Sequence, residues 1–373
     1  MTRDAIAQAR RIVVKIGSSS LSSRDGGLDV ARLRAFVDAI ASRRASADII
    51  VVSSGAIATG LAPLGLTKRP SDLPTQQAAA AVGQGLLFAQ YTQAFAERDV
   101  VVAQVLLTVE DLSRRSHHAN AQRALLRLLE FGAMPIVNEN DTVATAEIQF
   151  GDNDRLAALV AHAVQADALV LLSDVDGLYT APPSDGGELI PEVHTAGDLA
   201  AVTIGGVGAA GVGRGGMATK VDAARIATAA GIPVVLTDAE HAQAAISGEH
   251  VGTYFHAAPL RRPTRLLWLE HATSIRGSVT VDDGAVQALR KRGKSLLAAG
   301  IVGVAGDFTA GDPIDICDAH GTVFARGLVN FDHADVEAMQ GRSTVDIAAD
   351  LGEEFGRECV HRDDMVLLRG VHV

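Results

Sequence analysis

Arg11-Ile12-Val13-Val14-Lys15-Ile16-Gly17-Ser18-Ser19-Ser20 reads as a buried strand that runs into small polar residues. Its apolar residues occupy both faces of the period-two pattern, as a strand covered on each side by helices requires. Working outward, the runs Asp48–Ser53, Val100–Leu107, Met134–Glu139, Ala168–Leu172 and Ile232–Leu236 repeat this texture. Alanine-rich helical patterns lie between them, over Val30–Arg44, Gln76–Glu97, Arg114–Glu130, Asp154–Ala166 and Ala218–Ala230. Short apolar strands alternating with longer helices imply βαβ crossovers. The expected fold is therefore α/β, a mostly parallel sheet with helices on both faces.

The chain has 373 residues, more than one hydrophobic core usually accommodates. Its texture changes near residues 256–280, where Ala257-Ala258-Pro259 through Pro263 reads as a loop. Beyond Gly277 come short glycine-punctuated strands, Gly300–Val304, Pro313–Cys317 and Thr322–Leu328, around one helix, Gly284–Arg292. Two domains are expected, residues 1–258 and a smaller, mainly β unit over residues 277–366. The formal net charge of −11 argues against a protein built mainly to hold nucleic acid. Two cysteines, Cys317 and Cys359, form no disulfide framework and fit a reducing compartment. No apolar run approaches the roughly 20 residues that span a bilayer, and no signal peptide is read. The expected location is the cytoplasm.

Four segments carry candidate chemistry at strand ends, where open α/β sheets bind ligands. Lys15 in an apolar strand is costly unless its ammonium reaches a partner. Gly17 and the N–H groups after it suit a phosphate, although a snorkelling lysine before a flexible serine-rich loop is the plainer reading. Ser53-Ser54-Gly55 offers hydroxyls to a carboxylate, or a cap to the next helix. Asn138-Glu139-Asn140-Asp141 and Gly151-Asp152-Asn153-Asp154 place acids and amides where an amino acid needs acceptors for its ammonium and donors for its carboxylate. Turns and helix caps use the same residue types. The tract from Gly205 to Gly216 contains G-x-G-x-x-G twice, but its preceding strand is poor, so a dinucleotide fold is rejected. Lys220, in the first turn of the following helix, opposes the helix dipole unless it serves an anion. A Walker A loop is absent. His117-His118 and the scattered histidines lack ligand spacing, so surface or packing roles are expected of them and no protein metal site is read.

Taken in order, Lys15-Ile16-Gly17-Ser18, Ser53-Ser54-Gly55-Ala56, the two acid-amide clusters, Leu172-Ser173-Asp174-Val175-Asp176-Gly177-Leu178-Tyr179 and Gly215-Gly216-Met217-Ala218-Thr219-Lys220 closely resemble the amino acid kinase family. The resemblance covers nearly the whole chain and implies a three-layer α/β/α sandwich. It assigns Lys15, Asp154 and Lys220 to catalysis, with Asp154 between the two lysines and the lysines on the ATP phosphates. Ser54, Asp141 and Asn153, helped by Asn138 and Asp152, would bind the amino-acid substrate. Gly17, Ser173 and Asp174 would contact the nucleotide, and Arg214, Gly215, Gly216, Met217, Ala218, Thr219 and Lys220 would close over its phosphates. Arg214 stands where relatives often carry a small or hydroxyl residue.

The C-terminal unit resembles a PUA domain, a small fold that binds RNA in other proteins. The combination implies L-glutamate as acceptor, phosphorylated on its side-chain carboxylate by ATP with Mg²⁺, as the first step of proline biosynthesis. A homo-oligomer, feedback inhibition by proline and hand-off of the product to the next enzyme are implied in the same way. Residues 280–370 carry 9 Lys+Arg against 16 Asp+Glu, a net −7, and phosphate-backbone binding needs a basic face. Arg290-Lys291-Arg292 with Lys294 falls at a helix C-terminus, where cations are favoured anyway. RNA is therefore not expected as a partner. Two alternatives remain: a family member acting on acetylglutamate, and an RNA-binding protein with an inactive kinase-like domain.

Overall fold

The computed structural model describes residues 3–22, 27–113, 115–143, 153–199, 216–258, 269 and 275–368. The chain divides into two compact units, Met1–Arg262 and Pro263–Val373.

The strands of the first unit are β1 (Arg11–Ile16), β2 (Asp48–Ser53), β3 (Val102–Leu107), β4 (Met134–Glu139), β5 (Ala168–Ser173), β6 (Leu178–Tyr179), β7 (Leu189–Ile190), β8 (Glu192–Val193), β9 (Val234–Asp238) and β10 (Thr253–Phe255). Eight of them form one sheet in the order β3-β4-β2-β1-β5-β9-β10-β8. Its first six strands are parallel, β10 is antiparallel to β9, and β8 runs parallel to β10. β6 and β7 make a separate hairpin.

The helices are α1 (Asp4–Ala7), α2 (Ser18–Leu21), α3 (Val30–Arg44), α4 (Ala56–Leu61), α5 (Leu73–Ala96), α6 (Val109–Ser113), α7 (Arg115–Glu130), α8 (Asn153–Ala163), α9 (Met217–Ala229) and α10 (Ala242–Ser247). Local chemistry starts two of the longer ones. Asp29 caps α3 by accepting from the N–H groups of Ala31 and Arg32, and Asp72 caps α5 by accepting from that of Thr75.

Strand alternation divides the core. Ile12, Val14, Ile16, Ile49, Val51, Val170 and Leu172 face α3, α5 and α10 in one continuous cluster. There Tyr91 of α5 stacks on Phe95 with centroids 6.3 Å apart and meets Phe36 of α3 edge-on at 6.5 Å. Lys15 belongs to the alternate set, whose face is covered by α8 and α9. The three layers expected of the large unit are thus present, with two short strands, β10 and β8, running against the six parallel ones.

The second unit has a five-stranded sheet built from β11 (Gly277–Val281), β12 (Ile301–Gly306), β13 (Pro313–Cys317), β14 (Val323–Leu328) and β15 (Met365–Leu367), ordered β12-β11-β13-β14-β15. It buries its own core, including Val279, Ile314, Ile316, Phe324 and Met339. The single helix expected here is a correction. α11 (Asp283–Arg292) is joined by α12 (His333–Met339) and α13 (Thr344–Leu351), each too short for a clear 3.6-residue period. Arg290, from the basic cluster, lies over the Phe324 ring at 4.8 Å. Cys317 and Cys359 are buried free thiols. The stretch read as an interdomain loop lies largely outside the described residues.

Candidate active site

β1 lies between β2 and β5, and the chain leaves it toward β2 before returning on the β5 side. The crevice outside the carboxyl ends of these strands is the switch point at which open α/β sheets bind ligands. Lys15 stands one residue from the end of β1, Ser53 closes β2, Asn138 and Glu139 close β4, and Ser173 closes β5. All five are buried.

Lys15 points to the α8 face, where its Nζ lies 2.5 Å from Asp154 Oδ1. Lys220 Nζ lies 3.2 Å from Asp154 Oδ2. The Thr219 hydroxyl is 3.0 Å from the same oxygen and 2.9 Å from the Gly216 carbonyl, so its one proton serves one acceptor at a time. Burial by itself pushes the Asp154 carboxyl up. The ammoniums of Lys15 and then Lys220, with hydrogen bonds from Lys15 and Thr219, outweigh it and hold the pKa at about 2. Asp154 also sits in the first turn of α8, where the helix dipole favours an anion, whereas Lys220 in the first turn of α9 opposes that dipole. Two lysines thus converge on the two oxygens of one buried carboxylate. Paired lysines at the end of a strand and in the first turn of a helix suit the phosphates of a nucleotide.

Beside the trio lies a knot of amides and hydroxyls. Asn153 Nδ2 is 2.6 Å from the Ser53 carbonyl, 2.8 Å from Asn138 Oδ1 and 2.9 Å from Ser54 Oγ. Asn138 Nδ2 donates to Gln84 Oε1 at 2.6 Å, and Asn138 Oδ1 also accepts from the Glu139 N–H. Ser53 Oγ and the Tyr91 hydroxyl are 3.0 Å apart. The two firm acceptors around Nδ2 fix the amide's orientation. That leaves Asn153 Oδ1 buried without a donor among the described residues, an acceptor that a ligand N–H or ammonium would satisfy.

The remaining candidates fall nearby or elsewhere. Asp141 occupies the turn after β4, half-buried; burial pushes its carboxyl up to about 6 although the Arg69 charge pulls the other way. Ser173 Oγ donates to Asp174 Oδ1 at 3.0 Å, and the Ser173 carbonyl accepts from Ser20 Oγ at 2.9 Å. Gly216 is the N-cap of α9, with Met217 half-buried and Ala218 exposed in its first turn. Asp152, Arg214, Gly215 and the glycine tract before them lie outside the described residues.

Two local readings change. Ser54 does not cap α4; Gly55 does so with φ 107°, in the left-handed region, and no side chain caps the helix. The Ser18-Ser19-Ser20 segment is the short helix α2, not a flexible loop. Gly17 enters it with an ordinary φ of −76°. A Cβ there would meet Lys15 Nζ and the Leu172 carbonyl at 3.7 Å, so glycine leaves room beside the ammonium rather than permitting a special backbone. Gln84 and Tyr91 are not legible as site residues in the sequence. Their only signal is a polar side chain within an alanine-rich helix.

This fold and the strand-end site define the class of protein. The sequence pattern of the amino acid kinase family matches residues 10–238, and the chain belongs to that family. The PUA domain pattern matches residues 277–351. Full-length relatives are close. Glutamate 5-kinase of Streptomyces coelicolor is 61% identical over 368 residues, covering 98% of each chain. That of Streptomyces avermitilis is 60% identical over 370 residues, covering 98% of this chain and 99% of the relative. That of Salinispora arenicola is 59% identical over 368 residues, covering 98% and 100%.

Proposed function

We infer that the protein transfers the γ-phosphoryl group of ATP to the side-chain carboxylate of L-glutamate, forming L-glutamyl 5-phosphate, the first step of proline biosynthesis. The observation that carries this reading is the convergence of Lys15 and Lys220 on buried Asp154, beside the Asn153 knot. Near-full-length identity of 59–61% to glutamate 5-kinases supports the choice of acceptor.

A carboxylate is already a nucleophile at neutral pH, so the reaction needs positioning and charge neutralisation rather than a general base. Lys15 and Lys220 bind the phosphates and meet the charge that spreads over the equatorial oxygens of the transferring group. Asp154 holds both ammoniums in place. Ser54, Asn138, Asp141, Asp152 and Asn153 bind glutamate, the Asn153 amide oxygen and the Asp141 carboxylate accepting from its ammonium. Gly17, Ser173, Asp174 and the segment from Arg214 to Lys220 bind the nucleotide.

The family implies a divalent metal with the ATP, and we assign it as Mg²⁺. Asp154 has both oxygens engaged by cations. Among the described residues, the convergent group of three metal-ligating side chains lies elsewhere. The donor set therefore fits an ion ligated by the phosphates, where it neutralises their charge. No helix among the described residues is long and apolar enough to cross a membrane, and we place the enzyme in the cytoplasm. Homo-oligomerisation, proline feedback at or near the glutamate site and product hand-off are proposed from the family resemblance.

The acyl phosphate product reacts with hydroxylamine. Purified enzyme with glutamate, ATP and Mg²⁺ is expected to yield the hydroxamate, and Lys220→Ala to yield about 100-fold less or lower. Equal hydroxamate from both proteins would overturn the assignment.

Asp141 gives the reaction an acid limb. The ammonium of glutamate needs the ionised carboxylate, which burial holds in its protonated form up to about pH 6. KM for glutamate should therefore rise as pH falls below 6, approaching about tenfold per unit. Asp141→Asn should raise KM and flatten that limb. Arg69→Gln, which removes the charge lowering the Asp141 pKa, should move the limb to higher pH. A wild-type profile flat to pH 5 would remove Asp141 from the binding site.

A further inference from the structure

The far edge of the large sheet brings together histidines that lie far apart in sequence. β8 and β10 run parallel with Tyr254 opposite Glu192 and Phe255 opposite Val193. The His256 N–H donates to the Val193 carbonyl at 2.9 Å, extending the ladder by one step and bringing His256 level with His194. Opposed residues of a parallel pair point to the same side, and alternate residues share a face. Glu192, His194, Tyr254 and His256 accordingly meet on one face. The imidazoles of His194 and His256 stack with centroids 4.0 Å apart at 25°. Both aim Nε2 at a single carboxylate oxygen, Glu192 Oε2, from 3.6 Å and 2.8 Å.

We propose that Glu192, His194 and His256 form a binding site for a divalent transition ion of the zinc class. One ligand atom from each residue lies within 4.8 Å of the others. A tetrahedral ion with bonds of about 2.0–2.2 Å needs ligand atoms roughly 3.4 Å apart. The Glu192–His256 contact must open slightly and His194 must close slightly. Their exposure permits both, at 37% for the Glu192 side chain and 62% for His194, while His256 at 19% is the anchored member. The carboxylate supplies the charge.

The Arg3 guanidinium opposes a cation here, and its bonds to the carbonyls of Pro191, Val251 and Gly252 hold it in place without cancelling its charge. Those bonds also fix the backbones on which Glu192 and Tyr254 stand. Two imidazoles and one carboxylate select zinc, copper or nickel over magnesium or calcium. Three protein ligands leave one position for solvent or a small anion, so the site takes up its ion reversibly. The bound ion would clasp the two-residue edge strand β8 onto β10.

The site is separate from the phosphoryl-transfer crevice. β10 is antiparallel to β9, with Phe255 opposite Val234. His256 therefore lies where β9 begins, whereas Ser173 lies opposite Asp238, where β9 ends. The two levels are roughly 17 Å apart along the strands, five residues at about 3.3 Å each.

Full-length protein without a polyhistidine tag, stripped with chelator, should be titrated with Zn²⁺ by calorimetry and with Co²⁺ by visible absorption. One equivalent is expected at micromolar or lower concentration, unaffected by millimolar Mg²⁺. His194→Ala and His256→Ala should each weaken it about 10- to 100-fold. Glu192→Gln keeps an acceptor for His256 but removes the charge, and should weaken ion binding while leaving the melting temperature in chelator unchanged. His241→Ala, a histidine 2.8 Å from Asp238, should bind like the wild type. Zn²⁺ uptake that survives the His194→Ala/His256→Ala double substitution, or uptake only at millimolar concentration, would overturn the site.

Discussion

Asp154→Asn is expected to lower kcat by about 10²- to 10³-fold, the usual scale for losing one preorganised electrostatic element. The amide is nearly isosteric but neutral. Lys15 and Lys220 would then stand as buried cations without the carboxylate whose two oxygens they approach at 2.5 and 3.2 Å. One end of the amide would also aim N–H donors at an ammonium. The lysines would separate, and the transferring phosphoryl group would lose their shared alignment. Breaking a buried ion pair also costs about 3–5 kcal/mol of stability, so a lower melting temperature is expected too. The two effects separate experimentally. A purely structural aspartate would cost melting temperature alone, and folded enzyme assayed well below that temperature would keep its kcat. A kcat within tenfold of wild type under those conditions would sink the positioning role.

The same trio was partly legible in the sequence because each lysine breaks a local rule. Lys15 interrupts a strand that is otherwise apolar, and Lys220 sits at the wrong end of a helix dipole. A local violation with no local remedy points to a distant partner. That the partner is Asp154 came from family resemblance; periodicity carries no such pairing. Strand limits show the same division. Asp48–Ser53 and Met134–Glu139 are readable to the residue because β2 and β4 are covered on both faces, and their apolar stretches end abruptly at polar residues. At the sheet edge the pattern misleads. Val100–Leu107 reads as one strand, but β3 begins at Val102 and Val101 is 70% exposed.

Gln84 and Tyr91 were opaque for a different reason. Their hydrogen bonds go to Asn138 and Ser53, on other elements, and polar side chains on a long helix ordinarily face solvent. The histidines that follow β8 and β10 are opaque too, because their nearness depends on strand order. α4 is not legible in the sequence because its six residues are too few to display a period, and because glycines determine how it packs.

Those glycines set the second large effect. Gly83→Ala is expected to destabilise the first unit by about 3 kcal/mol or more, the upper end of overpacking costs. A Cβ built at Gly83 of α5 would lie 1.8 Å from the Ala56 carbonyl oxygen and 2.5 Å from the Gly60 nitrogen, both in α4. Reciprocally, a Cβ at Gly60 would lie 1.9 Å from the Ala79 carbonyl oxygen. The colliding atoms are backbone, so no rotamer change relieves the clash. The helices must separate and strip cover from Ile57, Ala79 and Ala80 between them. At about 2–4 °C per kcal/mol for a unit of this size, the melting temperature should fall by roughly 6–12 °C. α4 begins directly after Ser54 and Gly55, so its displacement should also loosen the Ser54–Asn153 contact and raise KM for glutamate.

Gly85→Ala is the internal control. It lies in the same helix with nothing within 4 Å of its Cβ position, so alanine should instead stabilise by about 0.5–1 kcal/mol through helix propensity. Opposite signs two residues apart would locate the effect in the α4–α5 contact rather than in helix composition. A Gly83→Ala protein that melts with the wild type would mean that the backbones do not approach this closely. The glutamate side of the crevice would then need another support.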